Sequence, residues 1–166
     1  MAYCRNCGKQ ISENDKFCAS CGTPTQDGFE RAKKTVQDKF NEMNDTTDHT
    51  YEYAPADIDS NKIVSIFAYL NLLILIPVFV AKDSQFAKFH VSQGVNLLVA
   101  HFAYWVLAEL VMLVFAWVPI VAEIVGLFMG VLNLGICVLT IIGICNVLNG
   151  KAKELPIIGS WKIVNY

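Results

Sequence analysis

One apolar block, residues 63–148, constrains this chain more than any other feature, because no other stretch can bury enough surface to hold a fold. Within it, residues 91–117 hold no Lys, Arg or Asp and one Glu, Glu109, while residues 120–148 carry Glu123 as their only charge. A helix needs about 20 predominantly apolar residues to cross about 30 Å of hydrocarbon. Both stretches meet that test, so the sequence predicts an all-α integral membrane hairpin or small bundle. A third stretch, residues 63–80, would be about 27 Å long as a straight helix, and it contains Pro77.

Charge separates the chain into unlike halves. Residues 1–61 carry 7 of the 13 basic and 11 of the 15 acidic side chains, so the 54% hydrophobic content is concentrated beyond them. A formal net charge of -2 argues against a general nucleic-acid binder and leaves room only for local basic patches, so no nucleic-acid partner is expected. The opening residues are polar and cysteine-bearing, without the apolar core of a secretory signal. The first apolar stretch is therefore expected to direct the chain to the membrane uncleaved.

Four of the six cysteines form a pseudo-repeat: Cys4 and Cys7 are followed by Gly8, and Cys18 and Cys21 by Gly22, with Tyr3 and Phe17 preceding each pair. A two-residue gap lets both sulfurs of a pair turn toward one ion, and four thiolates suit tetrahedral Zn²⁺. The glycines supply the positive φ that a tight turn needs. Two disulfides or a redox pair are the competing reading, which a reducing cytosol disfavours. A closed four-cysteine site leaves no position for water, so the expected zinc is structural. With only Tyr3, Ile11 and Phe17 as a core, metal binding would supply most of the folding free energy of a ribbon over residues 1–24. The other two cysteines, Cys137 and Cys145, read as small buried residues of the apolar block.

Residues 25–61 are expected to hold an amphipathic helix and a flexible acidic linker. Over residues 27–43, Phe29, Ala32, Val36, Phe40 and Met43 recur at helical spacing. That stripe suits a membrane surface, docking on the ribbon, or fraying in solution. Residues 44–61 carry five acidic side chains and Pro55 without Lys or Arg, the composition of a tether. His49 within it is expected in solvent.

Topology follows from the lysines. Lys82 and Lys88 flank the first loop, and Lys151, Lys153 and Lys162 follow the last apolar stretch, which places both on the cytoplasmic side. Three full spans would then put the cysteine module outside, away from a reducing compartment. Both demands are met if residues 63–80 enter and return as a broken element bent near Asn71 and Pro77. The runner-up is three plain spans with the C-terminus outside. Either way the expected location is the cell membrane, multi-pass, with the ribbon cytoplasmic.

Polar residues at membrane depth are costly unless paired or hydrated. His101, Glu109, Glu123 and Asn133 are such candidates; interhelical hydrogen bonds are the plainer reading for His101 and Asn133, a proton relay the sharper one. Gly126 and Gly130 form a small-xxx-small pattern expected to seat the 91–117 helix, or else a second copy of the chain. His90, Gln93 and Gly94 gather on one helical face beside the first loop. There His90 is expected to cap the junction, or tie it to the 63–80 element or to the tail at 155–159, in preference to binding a ligand.

The loop and motif Phe89-His90-Val91-Ser92-Gln93-Gly94, with the closing segment Asn149-Gly150-Lys151 to Leu155-Pro156-Ile157-Ile158-Gly159, resemble bacterial membrane proteins related to the Tic-twenty import component of the chloroplast inner envelope. The resemblance covers about residues 62–166, and the front is similar to short zinc ribbons fused to bacterial membrane proteins. Plastid relatives imply protein translocation. The residues themselves show neither a nucleophile with a base nor an open metal site, so an enzyme is not expected. The expected role is a lipid-embedded module binding unidentified protein partners through its ribbon; the alternative is a translocation or small-solute transport component.

Overall fold

The computed structural model describes residues 2–12, 15–161 and 163–164. The chain divides into two units, Met1–Met43 and Asn44–Tyr166. It is mostly helical, with two long apolar helices and an N-terminal cysteine cluster.

In the first unit, β1 (Ala2–Tyr3) and β2 (Gln10–Ile11) pair antiparallel, Tyr3 opposite Gln10. A bridge between Phe17 and Pro24 closes the second cysteine loop in the same way. Helix α1 (Gln26–Met43) then begins as Phe29 donates its amide to the Thr25 carbonyl. The expected core is thinner than its residues suggested: Tyr3 and Phe17 are both more than half exposed. The stripe residues Phe29, Val36 and Met43 of α1 are exposed as well.

In the second unit, α2 (Pro55–Ser65) starts with Pro55, whose missing amide costs nothing in a first turn. A 3-10 turn (Ile66–Tyr69) follows, then a second (Asn71–Ile74) and the six-residue α3 (Leu75–Val80). Residues 63–80 are thus broken, as expected, and Asn71 takes φ 50°, a left-handed value that Asn tolerates better than most residues. Pro77, expected at a second bend, instead lies inside α3 and is buried.

Helices α4 (Gln85–Phe115) and α5 (Pro119–Leu148) form the long hairpin. Val118 is the extended residue between the Phe115 end and Pro119, which opens α5. Each helix has two regimes. The buried residues of α4 lie between Phe86 and Leu97, and those of α5, apart from Met129, between Ile142 and Val147. Beyond these, large apolar side chains face outward, among them Leu113 at 70%, Ile120 at 74% and Leu127 at 74% exposure. The outward-facing parts, residues 98–115 and 119–141, are about 27 and 34 Å long at 1.5 Å per residue.

The sequence placed a flexible acidic tether at residues 44–61, and the structure differs. Asn44 is buried, and its amide exchanges hydrogen bonds with that of Asn146 at 2.6 and 3.0 Å. The His49 amide donates to the Ala152 carbonyl at 2.8 Å, and Asp48 bridges Lys153 across the strand-like contact. Composition suggested disorder because few aliphatic residues are present. Partners more than 100 positions away, invisible in the local sequence, satisfy the polar groups instead.

Candidate metal centre and buried polar junction

The two cysteine loops have one geometry. In each, the first cysteine accepts a 2.8 Å hydrogen bond from the following glycine amide (Gly8 to Cys4, Gly22 to Cys18), while its own amide donates to Lys9 or Thr23. Gly8 and Gly22 both take φ 70°, so a side chain would be strained although nothing stands within 4 Å of either. The loops face each other. Cys4 Sγ lies 3.5 Å from Cys21 Sγ, Cys7 Sγ lies 3.6 Å from Cys18 Sγ, and all four sulfurs fall within 4.8 Å of one another. Tetrahedral thiolates about 2.3 Å from one ion would stand about 3.8 Å apart, so the set fits zinc without rearrangement.

Around the sulfurs, Asn6 donates its side-chain amide to the Thr23 hydroxyl at 3.0 Å, and that hydroxyl lies 3.3 Å from Cys21 Sγ. The Thr23 hydroxyl and amide bring the Cys21 thiol down to about 6. Cys7 moves the other way. The Lys9 amide pulls it down, but the neighbouring sulfurs, led by Cys21, and partial desolvation outweigh that and push it up to about 12. Four sulfurs so close share protons among themselves, and a divalent cation is what lets all four ionise together.

The second candidate is the motif at the start of α4. Ser84 caps the helix by accepting the Ala87 amide at 3.0 Å, and Asp57 of α2 accepts the Phe86 amide at 3.0 Å. Asp57 titrates below its ordinary range: burial opposes ionisation, but the Ser84 hydroxyl and the Phe86 amide outweigh it. Four residues further on, His90 is fully buried, its Nδ1 2.8 Å from the Tyr69 hydroxyl and its ring edge-on to Phe86 and Phe89. Its Nε2 is buried without a hydrogen-bond partner among the described residues. Gln93 spans the tail, donating to the Gly159 carbonyl at 3.1 Å and accepting the Leu155 amide at 3.0 Å. Asn96 donates to the Ile158 carbonyl at 3.1 Å and the Trp161 carbonyl at 2.7 Å.

Two glycines let the 3-10 turn Ile66–Tyr69 wedge between the helices. A Cβ at Gly94 would overlap the Ala68 carbonyl, and one at Gly143 would overlap the Tyr69 ring. His90, Gln93 and Gly94 are therefore brought together, and they join the turn and the tail to α4.

The remaining candidates are not gathered. Glu109 and Glu123 lie on exposed faces, and His101 is half-buried, its ring 6.5 Å from that of Tyr104 on the same helix. Asn133 accepts from the Cys137 thiol one turn on. Gly126 and Gly130, expected to seat α4, have no atom within 4 Å of an added Cβ. The helices instead meet where the Tyr104 hydroxyl donates to the Met129 carbonyl at 2.8 Å, and the seam runs beside the glycines, not over them. Sequence reasoning missed Asp57, Tyr69, Gly143 and Asn146. Gly143 and Asn146 showed only as a small and a polar residue in an apolar run, Tyr69 as one aromatic in another such run and Asp57 as one acid among five, and spacing alone pairs none of them.

A zinc-ribbon domain model matches residues 3–25, the stretch that holds all four sulfurs. Together with their convergence this supports a structural zinc ion. No curated protein and no solved structure matches the chain.

Proposed function

We propose that this is an integral membrane protein whose cytoplasmic zinc ribbon is a non-catalytic module for binding protein partners. One observation carries the membrane part of the reading: the outward-facing apolar lengths of α4 and α5, about 27 and 34 Å, bracket the thickness of a bilayer's hydrocarbon core. Exposed Leu, Ile, Val and Phe on both helices would be a severe liability in water.

Topology follows within the same reading. Residues 44–52, α2 and the tail at 151–161 all pack at the open end of the hairpin, so they share one side of the bilayer. The ribbon joins the chain at that end. With Lys82, Lys88, Lys151 and Lys153 also there, the positive-inside tendency assigns that side to the cytoplasm. The broken segment 63–80 then dips in and returns, its freed backbone groups covered by α4 and α5. The likeness to the Tic-twenty type rests on the residues that build the junction, and it carries no activity with it.

A binding role suits a closed metal site that offers its surface rather than its ion. A transport path through a single chain is less well supported, because Glu109 and Glu123 are exposed on the hairpin and not turned into its seam.

The test is sidedness. Lys33→Cys and Asn165→Cys, each in a Cys137→Ser, Cys145→Ser background, are treated with an impermeant maleimide in intact cells. Protection of both is expected, whereas labelling at Asn165→Cys alone would mean three spans and overturn the topology. For the binding role, Cys4→Ser with Cys7→Ser should leave the protein in the membrane and abolish its cross-linked cytosolic partners. An unchanged cross-linking pattern would remove the ribbon from that role.

A further inference from the structure

Most cations of the second unit are already engaged. Lys62 pairs with Asp59 at 3.2 Å, Lys151 with Asp48 at 3.9 Å, and Lys153 donates to the Asn44 carbonyl at 2.9 Å. Glu52 and Glu154 both face His49, and Asp57 is taken up by the start of α4. The ammonium groups of Lys82 and Lys88 are left, among the described residues, without an ion pair or hydrogen bond.

They occupy one place in the fold. Both line a cavity of about 150 Å³ whose other walls are Pro77, Val78, Ala81 and Val91. Lys88 also lines a second cavity of about 210 Å³, with Tyr53, Ser92, Glu154 and Trp161 among its walls. The one carboxylate there, Glu154, already faces His49 Nε2 at 3.4 Å. Phe79 and Val80, separated from Lys82 by the buried Ala81, are exposed at 74% and 69%, so an apolar surface gives way to unpaired positive charge within three residues.

We propose that Lys82 and Lys88 bind the phosphate headgroup of an anionic phospholipid, whose upper acyl chain lies against Pro77, Val78 and Val91. The inference rests on the membrane reading above. Two ammonium groups without an ion pair, outnumbering the neighbouring exposed Asp83 and set beside an apolar-walled cleft, match a lipid that is charged at one end and apolar at the other. Tyr53 and Trp161, beside Lys88, are the amphipathic aromatics that favour the headgroup level. Inorganic phosphate shares the headgroup chemistry but leaves the apolar wall uncovered.

The experiment uses the full-length protein in mild detergent, offered an equimolar mixture of phosphatidylglycerol and phosphatidylcholine with the same chains, and native mass spectrometry of the bound lipid. At about 1 kcal/mol for each of the two basic residues near anionic lipid, an enrichment of phosphatidylglycerol of about thirtyfold is expected. Lys82→Gln with Lys88→Gln should bring it near parity. Lys82→Arg with Lys88→Arg, and separately Lys62→Gln, should retain it, which keeps a folding defect distinct from loss of the site. No enrichment in the native protein, or full enrichment in the Gln variant, would overturn the proposal. So would loss of the enrichment in millimolar inorganic phosphate, which would make this a soluble-anion site. Alkaline carbonate extraction of cell membranes separates the two failures. Release of the native protein would sink the membrane reading itself, whereas retention without lipid preference would sink only the headgroup site.

Discussion

At the residue scale, single polar atoms hold what the apolar surface cannot. In the ribbon the sulfurs take the place of a core, so the expectation is that Cys18→Ser abolishes zinc stoichiometry and unfolds residues 3–25 while α4 and α5 keep their helicity. Zinc release measured with a chromogenic chelator, beside circular dichroism, reads both, and a folded ribbon without metal would show that the strands suffice.

His49 offers a pH test. The Glu52 carboxylate and then Glu154 raise its pKa, against the opposing effect of burial. A folded pKa above the unfolded value means that the contribution is complete below about pH 6.5 and is lost as pH rises through the folded value. The melting-temperature difference between the native protein and His49→Gln should therefore be largest near pH 6 and shrink toward pH 8. A difference that grows with pH would contradict the assigned contacts.

At the scale of elements, glycine spacing and glycine contact part company. Gly126 and Gly130 had the packing motif, yet the positions where a side chain cannot enter are Gly94 and Gly143. Gly94→Ala should cost about 1–3 kcal/mol because the obstacle is the backbone carbonyl of Ala68, which has no rotamer to yield. Gly130→Ala should be neutral or slightly stabilising, since Ala is the better helix former by about 1 kcal/mol. Thermal unfolding in detergent compares them, and equal losses would return Gly130 to a packed seam. The tail carries its own strain: Ile157 takes φ 69° in a tight turn closed by the Ile158 amide on the Pro156 carbonyl at 2.7 Å. That turn presents the Ile158 and Gly159 carbonyls to Asn96 and Gln93.

At the scale of the whole molecule, the junction at the open end of the hairpin joins parts that are remote in sequence. Asn44 and Asn146 are the clearest case, two buried amides 102 positions apart. Asn146→Ala leaves the Asn44 amide buried without either of these two hydrogen bonds, a loss of about 1–3 kcal/mol. Replacing both with Leu should recover part of that loss, which a double-mutant cycle on melting temperatures would detect as strong coupling. Additive losses would mean that the pair is not a unit.

Local chemistry made much of this protein legible from its residues alone. Two-residue cysteine gaps with following glycines specify a metal loop because sulfur reach and glycine φ are properties of five consecutive residues. Apolar runs specify helix length for the same reason. The Phe89-His90 to Gln93-Gly94 face could be seen as a junction, though not what it joined, because helical periodicity places side chains on a face and says nothing of the opposite wall. Tertiary structure decided the rest. Residues 44–61 became structure instead of tether because Asn146, Ala152 and Phe86 supply their partners, and the 3-10 turn could enter between the helices because Gly94 and Gly143 left it room. A hydrogen bond across 102 residues, or a cavity the width of a carbonyl, exists only once the chain has folded back on itself.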